Sequence, residues 1–233
     1  MKQNNPNLND HVIRPSGERR VHSDHFGRRH REDPLPFLKR IGVHQGLIVA
    51  DLGCGEGYYS IPLATLVRES GMVYAVDQSA NALSALQEKV KDLNMREGLI
   101  KTVQADATKT DIPGGSIDIV FLANMFHNVV HKEELVDEIK RLLKPSGVVV
   151  DIDWMRIETP FGPPYALRVS DNEIRGLFIG FGFTEVSYFI PDRYHYCLVF
   201  RKQDQAQDDK LDMKNDLAGS SLSSQENEMG RYL

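Results

Sequence analysis

The chain has 233 residues, which is enough for one α/β domain and a short appendage, and its apolar and charged fractions are ordinary for a globular protein. Only two cysteines are present, which argues against a disulfide framework and favours a reducing, cytoplasmic setting. No apolar run approaches the roughly 20 residues that span a bilayer, so we expect no membrane span. The N-terminal residues also lack the apolar core of a signal peptide.

Residues 1–33 read as a polar N-terminal arm that is rich in arginine and histidine. We expect a solvated arm that partly orders over the mouth of the site in the following domain. Binding of nucleic acid is the alternative, but the arm mixes five acidic residues with seven basic ones. His22, His25 and His30 lack a cysteine or carboxylate frame, so we predict no metal site.

A folded domain is predicted over residues 34–202. It opens with a short helix over residues 34–42, which has proline in its first turn and glycine at its end. The apolar run over residues 47–50 then predicts a buried strand, which turns sharply through three alternate glycines into another helix. Glycine is needed where a turn requires positive φ, or where a ligand lies against bare backbone.

This glycine turn indicates a nucleotide-type cofactor at the mouth of a parallel sheet. Tyr58 stands where the dinucleotide motif G-x-G-x-x-G needs its last glycine, which makes an NAD-dependent dehydrogenase a poor interpretation. The Gly-Lys-Ser/Thr ending of a P-loop is also missing. The carboxylate of Asp51 could meet an ammonium group or order the turn by accepting backbone N–H groups. The turn therefore suits a nucleoside that carries an amino acid.

The turn Asp51-Leu-Gly53-Cys-Gly55-Glu-Gly57 resembles the D/E-x-G-x-G-x-G motif of the class I S-adenosylmethionine (SAM)-dependent methyltransferases. The resemblance covers roughly residues 37–202 and is closest to the small methyltransferases grouped with those of ubiquinone and menaquinone biosynthesis. It implies an α/β, Rossmann-like sandwich whose mostly parallel, seven-stranded sheet ends in an antiparallel hairpin. It also implies SAM as cofactor and S-adenosylhomocysteine as product.

The resemblance assigns cofactor contacts at the ends of successive strands. Its set is Asp51, Gly53, Cys54, Gly55, Tyr58, Asp77, Gln78, Asp106, Ala107 and Asn124.

Asp77 ends the second predicted strand, 24 residues after Gly53, where a carboxylate can accept from both hydroxyls of a ribose. Its alternative role is the N-cap of the next helix. In the family, an acid at the exit of the third strand sits by the adenine amine, and the next residue gives a backbone contact. Asp106 and Ala107 match those positions.

The fourth strand, residues 116–124, is nearly all apolar, as expected for a parallel strand covered on both faces. The segment that follows, Asn124-Met-Phe-His127, lies where the resemblance implies that the methyl group is presented. Residues 143–147 read as a turn that resembles the family's L-K-P-G-G, and the fifth strand ends near Asp153. Two final strands, residues 184–190 and 194–201, form the hairpin. Residues 203–233, which carry a net charge of −4, are predicted to be a disordered acidic tail.

SAM carries an already activated methyl group, so the protein mainly aligns the nucleophile and removes a proton where there is one. His127 is the best-placed candidate base, with a hydrogen bond that shapes the loop as its alternative role. Asp153 could orient or deprotonate the substrate, or cap the strand end. Aromatic side chains could wall an apolar acceptor pocket or simply pack: Trp154, Phe161, Tyr165 and Tyr196.

The leading interpretation is a SAM-dependent methyltransferase that acts on an unidentified small or medium-sized metabolite, with an apolar metabolite as one option. The sequence lacks the N/D-P-P-Y/F motif of methyltransferases that act on planar amines. An RNA methyltransferase guided by the basic arm is the second interpretation. A SAM-binding protein that regulates or scaffolds a partner without turnover is the third. The acceptor and the oligomeric state cannot be read from the sequence.

Overall fold

Strands and helices alternate along residues 33–203, the part of the chain that the computed structural model describes. The seven strands are β1 (Ile48–Leu52), β2 (Met72–Asp77), β3 (Ile100–Gln104), β4 (Ile117–Ala123), β5 (Leu143–Trp154), β6 (Phe183–Phe189) and β7 (His195–Lys202). The five α-helices are α1 (Pro34–Arg40), α2 (Ser60–Val67), α3 (Ala80–Asp92), α4 (Lys132–Leu142) and α5 (Asp171–Gly180). Short 3-10 turns cover Phe126–Asn128 and Tyr165–Leu167.

All seven strands form one sheet in the order β3-β2-β1-β4-β5-β7-β6. The first five are parallel, whereas β7 pairs antiparallel with both β5 and β6. The predicted fold class is therefore confirmed. The strand order changes direction between β1 and β4, and ligands of such sheets bind outside the carboxyl ends of the strands at that point.

The alternation of side chains along β4 explains why this strand is apolar throughout. Val120 and Leu122 belong to the core on one face of the sheet, whereas Ile119 and Phe121 belong to the core on the other. Helices α4 and α5 cover the first face, and α1 and α2 cover the second. A strand buried on both faces cannot alternate with polar residues, as the sequence predicted.

The predicted turn at residues 143–147 lies inside β5 instead. Leu143 pairs with Ile117 and Val148 with Ile119, so four residues of β5 face a single residue of β4. Pro145 has no N–H to give to a ladder, which favours such a bulge. Lys144 Nζ lies 2.8 Å from Asp118 Oδ1 and fastens the bulge to β4. The turn-like sequence thus widens a strand rather than ending one.

Two reciprocal hydrogen bonds mark the start of helix α5. Ser170 accepts a hydrogen bond from the backbone N–H of Glu173, and Glu173 accepts one from the backbone N–H of Ser170. This reciprocal pair is a capping box, which fixes the first turn of the helix. The start of α5 is therefore anchored directly after the long segment that leaves β5, residues 155–169, which we call the acceptor loop.

Candidate functional site

The glycine turn after β1 has backbone dihedral angles that favour glycine. Gly53, Gly55 and Gly57 all have positive φ, at 74°, 54° and 83°. A Cβ atom on Gly53 would lie 3.0 Å from Met125 Sδ, and one on Gly57 would lie 2.2 Å from Leu86 Cδ1. Glycine is thus required here for both backbone conformation and space.

Asp51 lies at the carboxyl end of β1 and is buried, with a side-chain oxygen that accepts a 2.6 Å hydrogen bond from Ser60 Oγ. Because Ser60 is the first residue of α2, this contact ties the strand to the helix across the glycine turn. The donor is a side-chain hydroxyl, so this contact tests neither of the two predicted roles, which were a contact with an ammonium group and the acceptance of backbone N–H groups.

Cys54 and Tyr58 flank the same turn. The Cys54 thiol is buried, and burial together with the nearby carboxylates of Asp51 and Asp77 raises its pKa, so the group stays a neutral thiol. Tyr58 is half-buried and packs edge-on against Tyr59 at 4.9 Å between ring centroids. Both residues therefore act through shape rather than charge.

Asp77 ends β2 and reaches back to the glycine turn. One carboxylate oxygen accepts from the backbone N–H of Gly55 at 2.8 Å, and the other from the backbone N–H of Ser79 at 2.9 Å. The N-cap of α3 is Ser79, whose Oγ accepts from Ala82 N at 3.2 Å, so Asp77 does not hold the alternative role as cap. Each oxygen of Asp77 keeps a lone pair that could accept from a ribose hydroxyl.

Gln78 and Asp106 meet across the ends of β2 and β3. Gln78 Nε2 donates to Asp106 Oδ2 at 2.7 Å, and Thr108 donates to Asp106 Oδ1 through both its N–H and its hydroxyl. Ala107, between Asp106 and Thr108, is buried. The structure thus brings Asp77, Gln78 and Asp106 to one edge of the sheet, next to the glycine turn.

Asn124 begins the segment that lies over the glycine turn. It adopts a left-handed φ of 55°, and its N–H donates to Ile152 O at 2.8 Å. Its side-chain Oδ1 is buried and makes no hydrogen bond within residues 33–203. A buried amide oxygen without a donor is costly. The orphaned oxygen, the bare glycine backbone and the free lone pairs of Asp77 together fit a cofactor that brings N–H and O–H donors, as SAM does.

The candidate catalytic residues form a buried pair at the ends of β4 and β5. His127 Nδ1 lies 3.2 Å from Asp153 Oδ1, and their side chains are 8% and 1% exposed. Asp153 also accepts from the backbone N–H of Phe126 at 3.1 Å and of Trp154 at 2.7 Å. Since a carboxylate only accepts, the Nδ1 of His127 carries the hydrogen and Nε2 is left as the basic atom. Asp153 therefore caps the strand end and also orients His127.

The predicted aromatic wall is mainly a packing core. Trp154 and Tyr196 are almost fully buried, and the Tyr196 hydroxyl donates to Val169 O at 3.2 Å. Phe161 packs edge-on against Trp154 at 5.9 Å, while Tyr165 stays exposed. The segments that follow β4 and β5 carry exposed apolar side chains: Val130, Ile157, Tyr165 and Leu167.

No pattern in the sequence marks Arg168 as a functional residue. Arg168 is 4% exposed and its guanidinium is enclosed by the acceptor loop. A single arginine beside a proline-rich loop has no recognisable pattern, and only the folded loop shows what it binds.

Residues 33–203 contain no cluster of histidine, cysteine or carboxylate side chains that could hold a metal ion. The predicted arm and tail, with His22, His25 and His30, lie outside the described residues apart from Asp33 and Gln203. Within the described part of the chain, no helix is both long and apolar enough to cross a membrane.

Comparison with known sequences adds a family to this geometry. Residues 50–151 match a family model described as a methyltransferase domain, and that range contains every residue assigned above to the cofactor. The ubiquinone/menaquinone biosynthesis C-methyltransferase UbiE of Laribacter hongkongensis is 30% identical over 131 residues. That match covers 56% of this chain and 52% of the relative, so the chain spans about half of the relative's length.

Two solved structures are similar over most of their length. A SAM-dependent methyltransferase from Aquifex aeolicus superposes with a TM-score of 0.69 and 28% identity, over 72% of this chain and 89% of that one. A protein from Sulfolobus solfataricus, assigned to the type 11 methyltransferases, superposes with a TM-score of 0.61 and 30% identity. That likeness covers 74% of this chain and 93% of the other.

Proposed function

We propose that this chain, which belongs to the class I SAM-dependent methyltransferases, moves the methyl group of SAM to a ring carbon of an apolar aromatic diol. The observation that carries the proposal is the buried His127–Asp153 pair at the strand ends beside the glycine turn. The segment that carries His127 packs on that turn, because Met125 closes the space above Gly53. A base at this place is useful for an acceptor that has a proton to lose.

The cofactor residues are proposed from the same geometry. Gly53 and Gly55 offer bare backbone, Asp77 has lone pairs for the ribose hydroxyls, and Asp106 with Ala107 lies where the adenine would be held. The buried oxygen of Asn124 suits an N–H or O–H donor of the cofactor. When bound, SAM supplies an electrophilic methyl group on a sulfonium whose leaving group is a neutral thioether.

The protein's part in the reaction is to move a proton. His127 Nε2 takes the proton of an acceptor hydroxyl, and the resulting oxyanion makes the neighbouring ring carbon nucleophilic. The new carbon–carbon bond forms as the sulfur–methyl bond breaks, and the ring carbon then loses its own hydrogen as a proton while the acceptor oxygen regains one. One proton in total is left on His127 and passes to solvent. Asp153 stabilises the imidazolium that forms, because it is fixed by two backbone N–H groups and cannot turn away. The buried position of the pair keeps bulk water from competing for the proton.

The acceptor class is proposed from the mouth of the site and from the relative's name. Val130, which is 80% exposed, and the exposed side chains of Ile157, Tyr165 and Leu167 lie on the segments that follow β4 and β5, and such apolar side chains suit an apolar acceptor. The Laribacter relative is named as a C-methyltransferase of ubiquinone and menaquinone biosynthesis. Both observations support a quinol-like diol that is methylated on carbon.

The test is methyl transfer to a defined probe. Full-length protein, SAM and a prenylated 1,4-naphthohydroquinone with one open ring position are incubated, and the products are analysed by mass spectrometry. We expect a product heavier by one methyl group on carbon. If the probe is methylated on oxygen, or not at all while S-adenosylhomocysteine binds, the proposed acceptor is wrong.

The two alternative functions are separated by the same assay. The RNA methyltransferase depends on residues 1–33, of which residues 1–32 lie outside the described part of the chain, and it predicts methylated RNA and no methylated quinol. The scaffold protein predicts SAM binding without any turnover.

A further inference from the structure

Arg168 is a buried cation that donates hydrogen bonds to five residues of the acceptor loop. We call the guanidinium and these acceptors the cage. Its Nε donates to Pro163 O at 2.9 Å, and its Nη1 donates to Ile157 O at 2.6 Å and Met155 O at 3.2 Å. Its Nη2 donates to Phe161 O at 3.3 Å and to the Thr159 hydroxyl. The acceptor loop therefore wraps around a single guanidinium.

This arrangement replaces the regular hydrogen bonds that the loop lacks. Residues 155–164 contain no helix or strand, so their carbonyl oxygens need other donors. A guanidinium has five N–H donors in a fixed plane, and only arginine can reach this many acceptors at once. Burial lowers the pKa of Arg168, but arginine stays charged in proteins, so the hydrogen bonds persist at every physiological pH.

The Arg168 cage also contacts Trp154, at the end of β5. The guanidinium carbon lies 5.1 Å from the ring of Trp154, which packs against Phe161 at 5.9 Å and His195 at 4.2 Å. Trp154 also supplies one of the two backbone N–H groups that hold Asp153. Asp153 keeps its contacts to Phe126 and His127 independently of the loop, however, so the catalytic pair does not depend on Arg168 alone.

We propose that Arg168 is a positioning residue that holds the acceptor loop in the form that binds the methyl acceptor. The inference rests on the proposed function, because it takes the exposed apolar residues Ile157, Tyr165 and Leu167 as the acceptor's contacts. Arg168 itself does not touch the acceptor; it fixes the backbone that carries those side chains. Preorganisation of this kind strengthens binding by removing the cost of ordering the loop.

The proposal predicts different effects of Arg168→Ala on KM and on kcat. Arg168→Ala removes the five hydrogen bonds that the guanidinium donates to the loop and raises KM for the naphthohydroquinone probe about tenfold or more. The value of kcat stays within about threefold, because His127 and Asp153 remain in place. Calorimetric affinity for S-adenosylhomocysteine also stays within about threefold, since the cofactor residues lie on other strands. A fall in kcat with KM unchanged would overturn the proposal.

Arg193→Ala is the matched control. Arg193 is exposed on the β6–β7 turn, and its guanidinium carbon lies 5.9 Å from the ring of Tyr194, which belongs to the same aromatic group as Trp154. The Arg193→Ala variant removes an arginine near these aromatic side chains but leaves the hydrogen bonds of Arg168 in place. We expect its KM to match the wild type.

A second readout needs no acceptor. Trp154 is the only tryptophan of the chain, so its fluorescence reports on the cage directly. Arg168→Ala should shift the emission to longer wavelength, speed proteolysis between residues 155 and 164, and recover both properties in millimolar methylguanidinium. Arg168→Lys, with three donors in a different geometry, should recover only part. Unchanged fluorescence and proteolysis in Arg168→Ala would overturn the proposal.

The readouts also separate two kinds of failure. If the wild type does not methylate the probe, the proposed acceptor is wrong, and the fluorescence and proteolysis results then decide whether Arg168 orders the loop. If Arg168→Ala does not bind S-adenosylhomocysteine, its fold is lost and Thr159→Val decides instead. Thr159 accepts from Arg168 and donates to Phe161 O, so its loss should move KM and proteolysis in the same direction by a smaller factor.

Discussion

Asp153 holds His127 with one carboxylate oxygen while two backbone N–H groups hold Asp153. Asp153 lies in β5 and His127 in the 3-10 turn that follows the adjacent strand β4, 26 residues earlier in the chain. A base oriented in this way is set in one tautomer before the acceptor arrives. The relationship leads to the first prediction.

Asp153→Asn should lower kcat about a hundredfold. The asparagine amide removes the charge that stabilises the His127 imidazolium and can present a donor to His127 instead of an acceptor. The measurement is steady-state methyl transfer to the naphthohydroquinone probe, with S-adenosylhomocysteine affinity as the control for the fold. A kcat within threefold of the wild type would mean that the pair is structural only.

Asp77→Asn should weaken SAM binding about 10- to 100-fold, because hydrogen bonds to a charged group contribute about 1.5–3 kcal/mol. The amide also brings a donor towards the N–H groups of Gly55 and Ser79, where the carboxylate accepts. Calorimetric titration with SAM measures the effect. Asp92→Asn, at the far end of α3, is the matched control and should leave the affinity unchanged.

Gly57→Ala should destabilise the fold by about 1–3 kcal/mol, because the new methyl group meets Leu86 at 2.2 Å and the backbone has positive φ. Gly176→Ala is the opposite case. Gly176 lies inside α5 with no atom within 4 Å of a new Cβ, so alanine should stabilise by about 0.5–1 kcal/mol. Urea denaturation of both variants tests the pair, and equal effects would contradict the geometry.

Asp151 makes stability depend on pH. Its side chain is fully buried, and neither carboxylate oxygen has a hydrogen-bond partner within residues 33–203. Burial first, and the charge of Asp153 second, raise the pKa of Asp151 well above its usual value of 3.8. The folded chain therefore keeps a proton that the unfolded chain releases. The contribution of Asp151 to the free energy of unfolding is fully present below the pKa that this group has in the unfolded chain. It is lost as the pH rises towards the pKa that the group has in the folded chain.

Asp151→Asn removes this titration while it keeps the shape of the side chain. We expect the free energy of unfolding to fall between pH 5 and pH 8 in the wild type and to fall less in the variant. The variant should be the more stable of the two at pH 8. Urea denaturation at both pH values tests this, and parallel curves would show that Asp151 does not titrate with folding.

The sequence predicted the positions where strands end, and this was sufficient for most of the site. Asp51, Asp77 and Asp106 each lie at or just after the end of a predicted strand, and parallel strands bring such residues to one edge of the sheet. The same logic placed His127 and Asp153 near each other. It could not decide between a base and a strand-end cap, because Asp153 is both an orienting residue and a cap.

Features that form only when distant segments of the chain pack together could not be predicted from the sequence. The cage of Arg168 is made of backbone carbonyls, which every sequence has, so no residue pattern marks it. The bulge at Lys144 has the composition of a turn, and only pairing with Ile117 and Ile119 keeps it in the sheet. The burial of Asp151 also follows only from the packed sheet, because the side chain lies inside β5, which continues past it for three residues.

The central claim is that the chain transfers a methyl group from SAM with His127 as base. It is tested most directly by the rate of carbon methylation of the prenylated naphthohydroquinone by the wild type, His127→Ala and His131→Ala. His131 is the matched control, because its side chain is 68% exposed and lies four residues from the base. We predict methylated product from the wild type and His131→Ala, and a rate about a hundredfold lower from His127→Ala with unchanged S-adenosylhomocysteine binding. Equal rates in His127→Ala and the wild type would contradict the assignment of the base, and the absence of product from all three would contradict the proposed reaction.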